Sequence, residues 1–176
     1  MAGVGIPEKL INFRVFEDGT QFLGVAQVEL PQVQMMNVSI KGSGIAGEVE
    51  SPVLGHTQSM TLKITFRTLT PEAWGLTKPG AHQLDFRAGL ESYVLADGKQ
   101  KVVPNKVWVR GKTKSSGLGK AEPGNTMDSE VEMEVEALGV YYDGKEAFYH
   151  DKYNGIFRVD GTDYLQEERA AEGMEG

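Results

Sequence analysis

The residues most suggestive of chemistry form a glycine pattern, Gly42-Ser43-Gly44-Ile45-Ala46-Gly47. It matches the G-x-G-x-x-G phosphate-binding fingerprint letter for letter. That fingerprint works only where a strand leads into a helix whose first amides face a pyrophosphate. Here Glu48, Val49, Glu50, Ser51 and Pro52 follow. They make a poor helix, and two carboxylates would sit beside the phosphate. The tract reads as a loop, and no cofactor is assigned to it.

Gly111-Lys112-Thr113 resembles the end of a phosphate-binding P-loop. The required earlier glycine is Lys106, and Ser115-Ser116-Gly117 follows in place of a helix, so this reading fails too. His56, His82 and His150 lack the i, i+4 spacing of a helical metal pair. They read as surface or packing residues. The chain has no cysteine, which excludes a disulfide framework and thiolate-bound zinc or iron–sulfur sites. No nucleophile elbow occurs, and no carboxylate pair stands out. No catalytic, cofactor-binding or metal-binding residue is assigned, and the chain reads as a non-enzyme.

The chain's 176 residues fit one domain, spanning 1–176. The formal net charge is −7, which argues against gripping nucleic acid, since neutralising phosphates supplies most of that affinity. Residues 1–13 show no basic start and no apolar run, so they do not read as a signal peptide. The Asn37-Val38-Ser39 sequon is read as a chance match. The 22 glycines point to many turns and a β-rich fold.

Alternation with period 2 positions the side chains. Over Gln58–Leu69, Met60, Leu62, Ile64 and Phe66 take one face, and polar residues take the other. His82–Ala96 repeats this with Leu84, Phe86, Ala88 and Leu90. Val107–Lys114 aligns Trp108, Arg110, Lys112 and Lys114. Asp97-Gly98 and Asp143-Gly144 read as hairpin turns. Short helices are expected at Pro71–Leu76, capped by Thr70, and at Tyr164–Glu172, capped by Asp163. Two long loops are expected, at about 41–58 and at about 115–128.

The strongest alternation is Ser129–Tyr142. Glu130, Glu132, Glu134 and Glu136 share one face, and Val131, Met133 and Val135 the other. Same-face neighbours stand roughly 6.6 Å apart, so each like pair costs on the order of 0.6 kcal/mol in water. Two readings compete. One is a solvated face offset by cross-strand lysines such as Lys63 or Lys112. The other is an acidic wall that repels a polyanion.

The C-terminal third carries a family pattern: Tyr142-Asp143-Gly144-Lys145-Glu146, Asp151, Asn154, Val159-Asp160-Gly161, Asp163, Leu165, Arg169 and Gly173. Asn12, Val15, Gly19, Gly24-Val25-Ala26, Leu30-Pro31, Gly44, Gly47, Leu54-Gly55 and Arg110-Gly111 agree with it upstream. The chain resembles the major tail tube proteins of contractile-tailed phages and of R-type bacteriocins. The segment Gly117–Asp128 is longer than the family's form, and Glu172 stands at an apolar position.

The resemblance implies a mainly β fold, an antiparallel sandwich or partial barrel with long hairpins and one or two short helices. It implies hexameric rings, a continuous inner β-barrel, and rings stacked head to tail into a tube. The implied partners are further copies of the chain, a tail sheath protein, and baseplate and tail terminator proteins. DNA would pass without specific binding, or ions in a bacteriocin. The place would be a phage tail or tail-like particle, with synthesis in the bacterial cytoplasm. On this reading Glu130, Glu132, Glu134 and Glu136 line the lumen. The first long loop, through Lys41, Gly44, Gly47, Glu48, Val49 and Leu54, reaches a neighbouring subunit or ring. The alternative is a monomeric β-sandwich module binding a carbohydrate or protein ligand, which would display exposed aromatics.

Overall fold

The computed structural model describes residues 4–174. Along the chain run β1 (Gly5–Glu17), β2 (Gln21–Phe22), β3 (Val25–Glu29), β4 (Met35–Lys41), β5 (Glu48–Thr57), β6 (Thr61–Phe66) and α1 (Pro71–Gly75). There follow β7 (His82–Val94), β8 (Gln100–Gly117), β9 (Ser129–Tyr142), β10 (Lys145–Asp151), β11 (Ile156–Val159), β12 (Thr162–Asp163) and α2 (Gln166–Ala171). All pairings are antiparallel. The fold is mainly β with two short helices, as the alternation requires.

The main sheet curls on itself. Its order is β12-β11-β10-β9-β8-β7-β1-β2, with β6 added to β9 and β3 to β6. The Leu23 amide donates to the Val15 carbonyl at 3.0 Å, extending the β1–β2 hairpin to within two residues of β3, so that the two ends of the strand path approach each other as a partial barrel. Inside it pack Val15, Ile64, Phe66, Val109, Val131 and Met133. The expected faces of β6 and of the first half of β9 are the faces observed. Thr70 caps α1, its hydroxyl accepting from the Ala73 amide at 3.3 Å. Asp143 and Gly144 both take positive φ, 50° and 77°, as a two-residue hairpin turn requires.

Several expectations need correction. The tract 41–58 is no loop: β4 and β5 form a separate two-stranded sheet, and the glycine fingerprint is its turn. Within that turn the Ile45 amide donates to the Gly42 carbonyl at 3.2 Å. The missed strand has a physical reason. Pro52 and Gly55 interrupt its apolar pattern, and an isolated hairpin shows neither a buried face nor a core to betray it. The strand placed at Gln58–Leu69 is only Thr61–Phe66. Val107–Lys114 is the middle of an 18-residue strand, and the loop after it spans 118–128 rather than 115–128. α2 is capped at Leu165 without a side-chain bond. Asp163 acts one step earlier, accepting from the Leu165 amide at 3.1 Å and pairing with Arg169 at 2.5 Å.

Gly111 explains the false P-loop. The β8–β9 register slips beside it, leaving Glu136 without a partner between the pairs Arg110↔Ala137 and Gly111↔Val135. A Cβ at Gly111 would stand far inside van der Waals contact of the Glu134 carbonyl oxygen. Ala at Gly111 must push the strands apart, at a cost of about 1–3 kcal/mol. Gly75, at the end of α1, has nothing within 4 Å. Gly75→Ala is therefore neutral, or stabilising by up to ~1 kcal/mol. Urea unfolding of the two variants tests the contrast.

Candidate functional site

The glutamate row lies on the outer face of the barrel, between β6 and β8. Its electrostatics differ from an acidic wall. Lys63 pairs with Glu130 at 3.3 Å, Lys112 with Glu136 at 3.0 Å, and Lys114 and Lys152 with Glu134 at 3.6 and 3.8 Å. Three of the four glutamates thus meet four lysines, Lys63 and Lys112 among them, and the row is a laced ladder rather than a bare acidic wall. Glu136, at the register slip, is nearly buried. The lysines come from β6, β8 and the turn after β10, which is why β9 read alone suggests repulsion.

Glu134 is the centre of the ladder. Burial alone would raise its pKa. The Ser59 hydroxyl (2.6 Å), Lys152, Lys114 and the Met60 amide together outweigh that and hold it below the ordinary value. Hydrogen bonding to Glu130, then the charge of that carboxylate, raises the Lys63 pKa.

Further along the same face runs a cation–aromatic array. Trp108 stacks on Tyr149 at 6.0 Å, Arg158 lies 5.0 Å from the Tyr149 ring, and Lys106 lies 4.8 Å from Tyr141. Gly139 leaves room for these rings, since a Cβ there would meet Tyr141 at 3.0 Å and Tyr149 at 3.4 Å. Arg158 is tied to Glu146 at 2.5 Å and Arg110 to Asp151 at 2.9 Å. These rings are half-buried, each flanked by a cation or by another ring.

Each of the three histidines is occupied; His56 and His150 border one cavity, and His82 lies apart from them. His82 faces two acceptors, Glu17 at 2.8 Å and the Lys78 carbonyl at 2.9 Å, so its ring carries both protons. Burial opposes that charge, and the Lys78 carbonyl and Glu17 overcome it, leaving the pKa raised. His150 is buried, and burial lowers its pKa. His56 is exposed and reaches Glu168 at 3.2 Å. Among the described residues no three His, Asp or Glu gather as a metal site.

Two projecting elements complete the surface. The first is the tip of β1, β7 and β8. The first eight residues of β1 are exposed, with Ile6, Leu10 and Ile11 among the exposed apolar side chains. β1 meets β2 only at Phe16↔Phe22 and Glu17↔Gln21, so among the described residues its outer edge from Gly5 to Arg14 is unpaired. β8 meets β9 only from Asn105 onward, so the edge of residues 101–103 is open as well. The second is the β4–β5 arm. Val38, Ile40 and Val49 share one face through the Ile40↔Val49 and Val38↔Ser51 pairs, and all three hydrophobes are exposed. Lys41, Glu48 and Glu50 fall on the other face. Gly44 and Gly47 lie in the arm's turn, and Leu54 near its root. The arm was hidden in the sequence; of the tip strands, β7 was visible as the alternation over His82–Ala96 and β8 only in its middle, Val107–Lys114, while β1 was not read from alternation.

A profile of the family described as "Phage tail tube protein FII" matches residues 7–173. The chain belongs to this family. A curated relative, the tail tube protein of Escherichia phage P2, is 23% identical over 97% of this chain and 100% of its own length. Among solved structures, the sheath/tube terminator of an extracellular contractile injection system (PVC, extended state) overlaps 78% of this chain and 99% of its own. Its TM-score is 0.56 at 11% identity, which bears on the fold alone. The tail tube protein is a structural subunit and not an enzyme, and its place is a phage tail or a phage-tail-like particle.

The ladder gives this tube subunit a definite acid response. The lowered Glu134 pKa contributes stability that is present above the ordinary glutamate value and lost as pH falls through the folded-state value. Glu134→Gln therefore flattens the loss of stability below about pH 4.3 and costs ~1 kcal/mol or less at pH 7. Thermal melts from pH 7 to pH 2 read both effects.

Proposed function

We propose that six copies of this chain close into a ring through the open edges of the β1–β7–β8 tip, and that rings stack into a hollow tube. The observation that carries this is the tip: strands of 13, 13 and 18 residues run past the core with an unpaired edge on each side. An open edge pairs with another strand where one is offered. Pairing one edge with the other edge of the next copy is a heterologous contact, which closes a ring or runs on as a filament.

The β4–β5 arm, with Lys41, Gly44, Gly47, Glu48, Val49 and Leu54, is the contact to a neighbouring subunit or ring. A tail sheath, a baseplate and a tail terminator bind the tube's outside and ends. The subunit is made in the host cytoplasm and acts as a conduit for DNA or ions across the target envelope. The ladder of Glu130, Glu132, Glu134 and Glu136 faces the lumen. Its balanced charges support passage in a different way from a repulsive wall. The lysines there are already engaged, so DNA gains little by counterion release and does not stick. A ring with this ladder on its outer surface contradicts the lumen assignment.

The test of assembly is negative-stain microscopy of concentrated protein beside Ile11→Lys. Ile11 is the extra residue at a register slip of β1 and is half exposed. A lysine there blocks edge pairing and changes monomer stability by only about 0.5 kcal/mol. The native chain forms rings or tubes, and the variant stays monomeric with an unchanged melt. Tubes from the variant, or none from the native chain at any concentration, contradict the proposal.

A further inference from the structure

The arm's root rests on a small platform at the C-terminal end of the chain. Four successive residues make the contact. Gly55 adopts φ +65°, and a Cβ there would lie 2.6 Å from the Leu165 side chain, which is itself buried. His56 reaches Glu168 of α2 at 3.2 Å. The Thr57 hydroxyl is 2.9 Å from His150 Nε2, while His150 Nδ1 faces the Ile156 carbonyl at 2.9 Å. Nδ1 therefore holds the proton and Nε2 accepts from Thr57. The Lys152 ammonium donates to the Gln58 carbonyl at 3.0 Å.

Beyond this root, β4 and β5 pair only with each other. An isolated two-stranded hairpin has no direction of its own. Whatever fixes the root fixes where the apolar face of Val38, Ile40 and Val49 points. The platform is itself slight. α2 has six residues and none is buried, and a helix that short is not stable alone. It is held by Arg169, which bonds Gly155 and Asp163 at 2.6 and 2.5 Å. A cavity of about 280 Å³ separates α2 from the root, bordered by His56, Glu168, Arg169 and Glu172.

We propose that α2 and Leu165 are a positioning device for the arm: they hold its root so that its apolar face is presented in one direction to a second copy of this chain. This rests on the reading of the arm as an assembly contact. Pre-organising a binding element removes part of the ordering cost from association. The residues that do so lie outside the binding face and make no contact with the partner themselves.

The experiment uses the full chain with Leu165→Ala and, separately, Glu168→Ala, which removes only an exposed partner. Hydrogen exchange is followed at Thr57 and Gln58 and in β8 and β9, and the concentration needed for tube formation is measured by light scattering. In Leu165→Ala the root amides exchange about tenfold faster or more while β8 and β9 keep their protection, and tubes require several-fold more protein. Glu168→Ala shifts both readouts in the same direction by less. Unchanged root exchange, uniform acceleration including the barrel, or native assembly despite a loosened root overturns the proposal. Val38→Asp separates the two readings. If it assembles like the native chain, the arm is not an assembly contact and the device has no such function, whereas the exchange data still report on the clamp itself.

Discussion

A sheet that runs past its own core leaves work that only another chain can do. In this subunit β1, β7 and β8 pass through a hydrophobic interior, at Val15, Leu84 and Val109, and extend beyond it into solvent. Within the barrel the central strands β6 to β9 are flanked on both sides, and their inward apolar side chains are packed. At the tip, one edge of β1 and one edge of β8 have neither, and hydrophobes such as Ile6 and Val102 stay exposed. Exposed backbone can bond water at little cost, so the monomer is tolerable. Pairing it with a second copy adds apolar burial at about 25 cal/mol per Å² and removes an aggregation-prone edge. The architecture of a tube follows from that one excess of strand over core.

The ion ladder belongs to the opposite end of β9, where the strand is flanked on both sides. There the polar face is balanced within the subunit, through Lys63, Lys112, Lys114 and Lys152. Exposed pairs of this kind contribute little stability individually. Their consequence is for what the face offers to others: a flat, hydrated surface whose cations are engaged. If the ladder faces the lumen as proposed, that suits a wall along which a polyanion slides.

Much of this was legible in the sequence. Met60 to Phe66 and Val131 to Val135 alternate strictly because one face is buried and the other wet, and the faces came out as the period required. Thr70-Pro71 marks α1 because both residues act locally. The family pattern after Tyr142 agrees with the profile match over residues 7–173. What escaped depended on partners distant in sequence. Lys63 and Lys112 were legible as cross-strand partners of the Glu row, whereas Lys152, on a turn, and the double engagement of Glu134 were not. The β4–β5 arm has no core to impose a period, and Gly55 is needed because Leu165, 110 positions away, fills the space. The glycine fingerprint carried the right physical message, backbone freedom at Gly42, Gly44 and Gly47, in a hairpin turn rather than at a phosphate.

The central claim is that the open edges of the tip are completed by neighbouring copies. The most direct measurement is a cryo-EM reconstruction of tubes assembled from the purified chain, at a resolution that separates strands. The account predicts that the outer edge of β1, from Gly5 to Arg14, lies beside a strand of the adjacent copy at the ~4.8 Å spacing of a hydrogen-bonded pair, in an unbroken barrel around the lumen. A tube in which that edge stays open to solvent, with copies joined elsewhere, would contradict it.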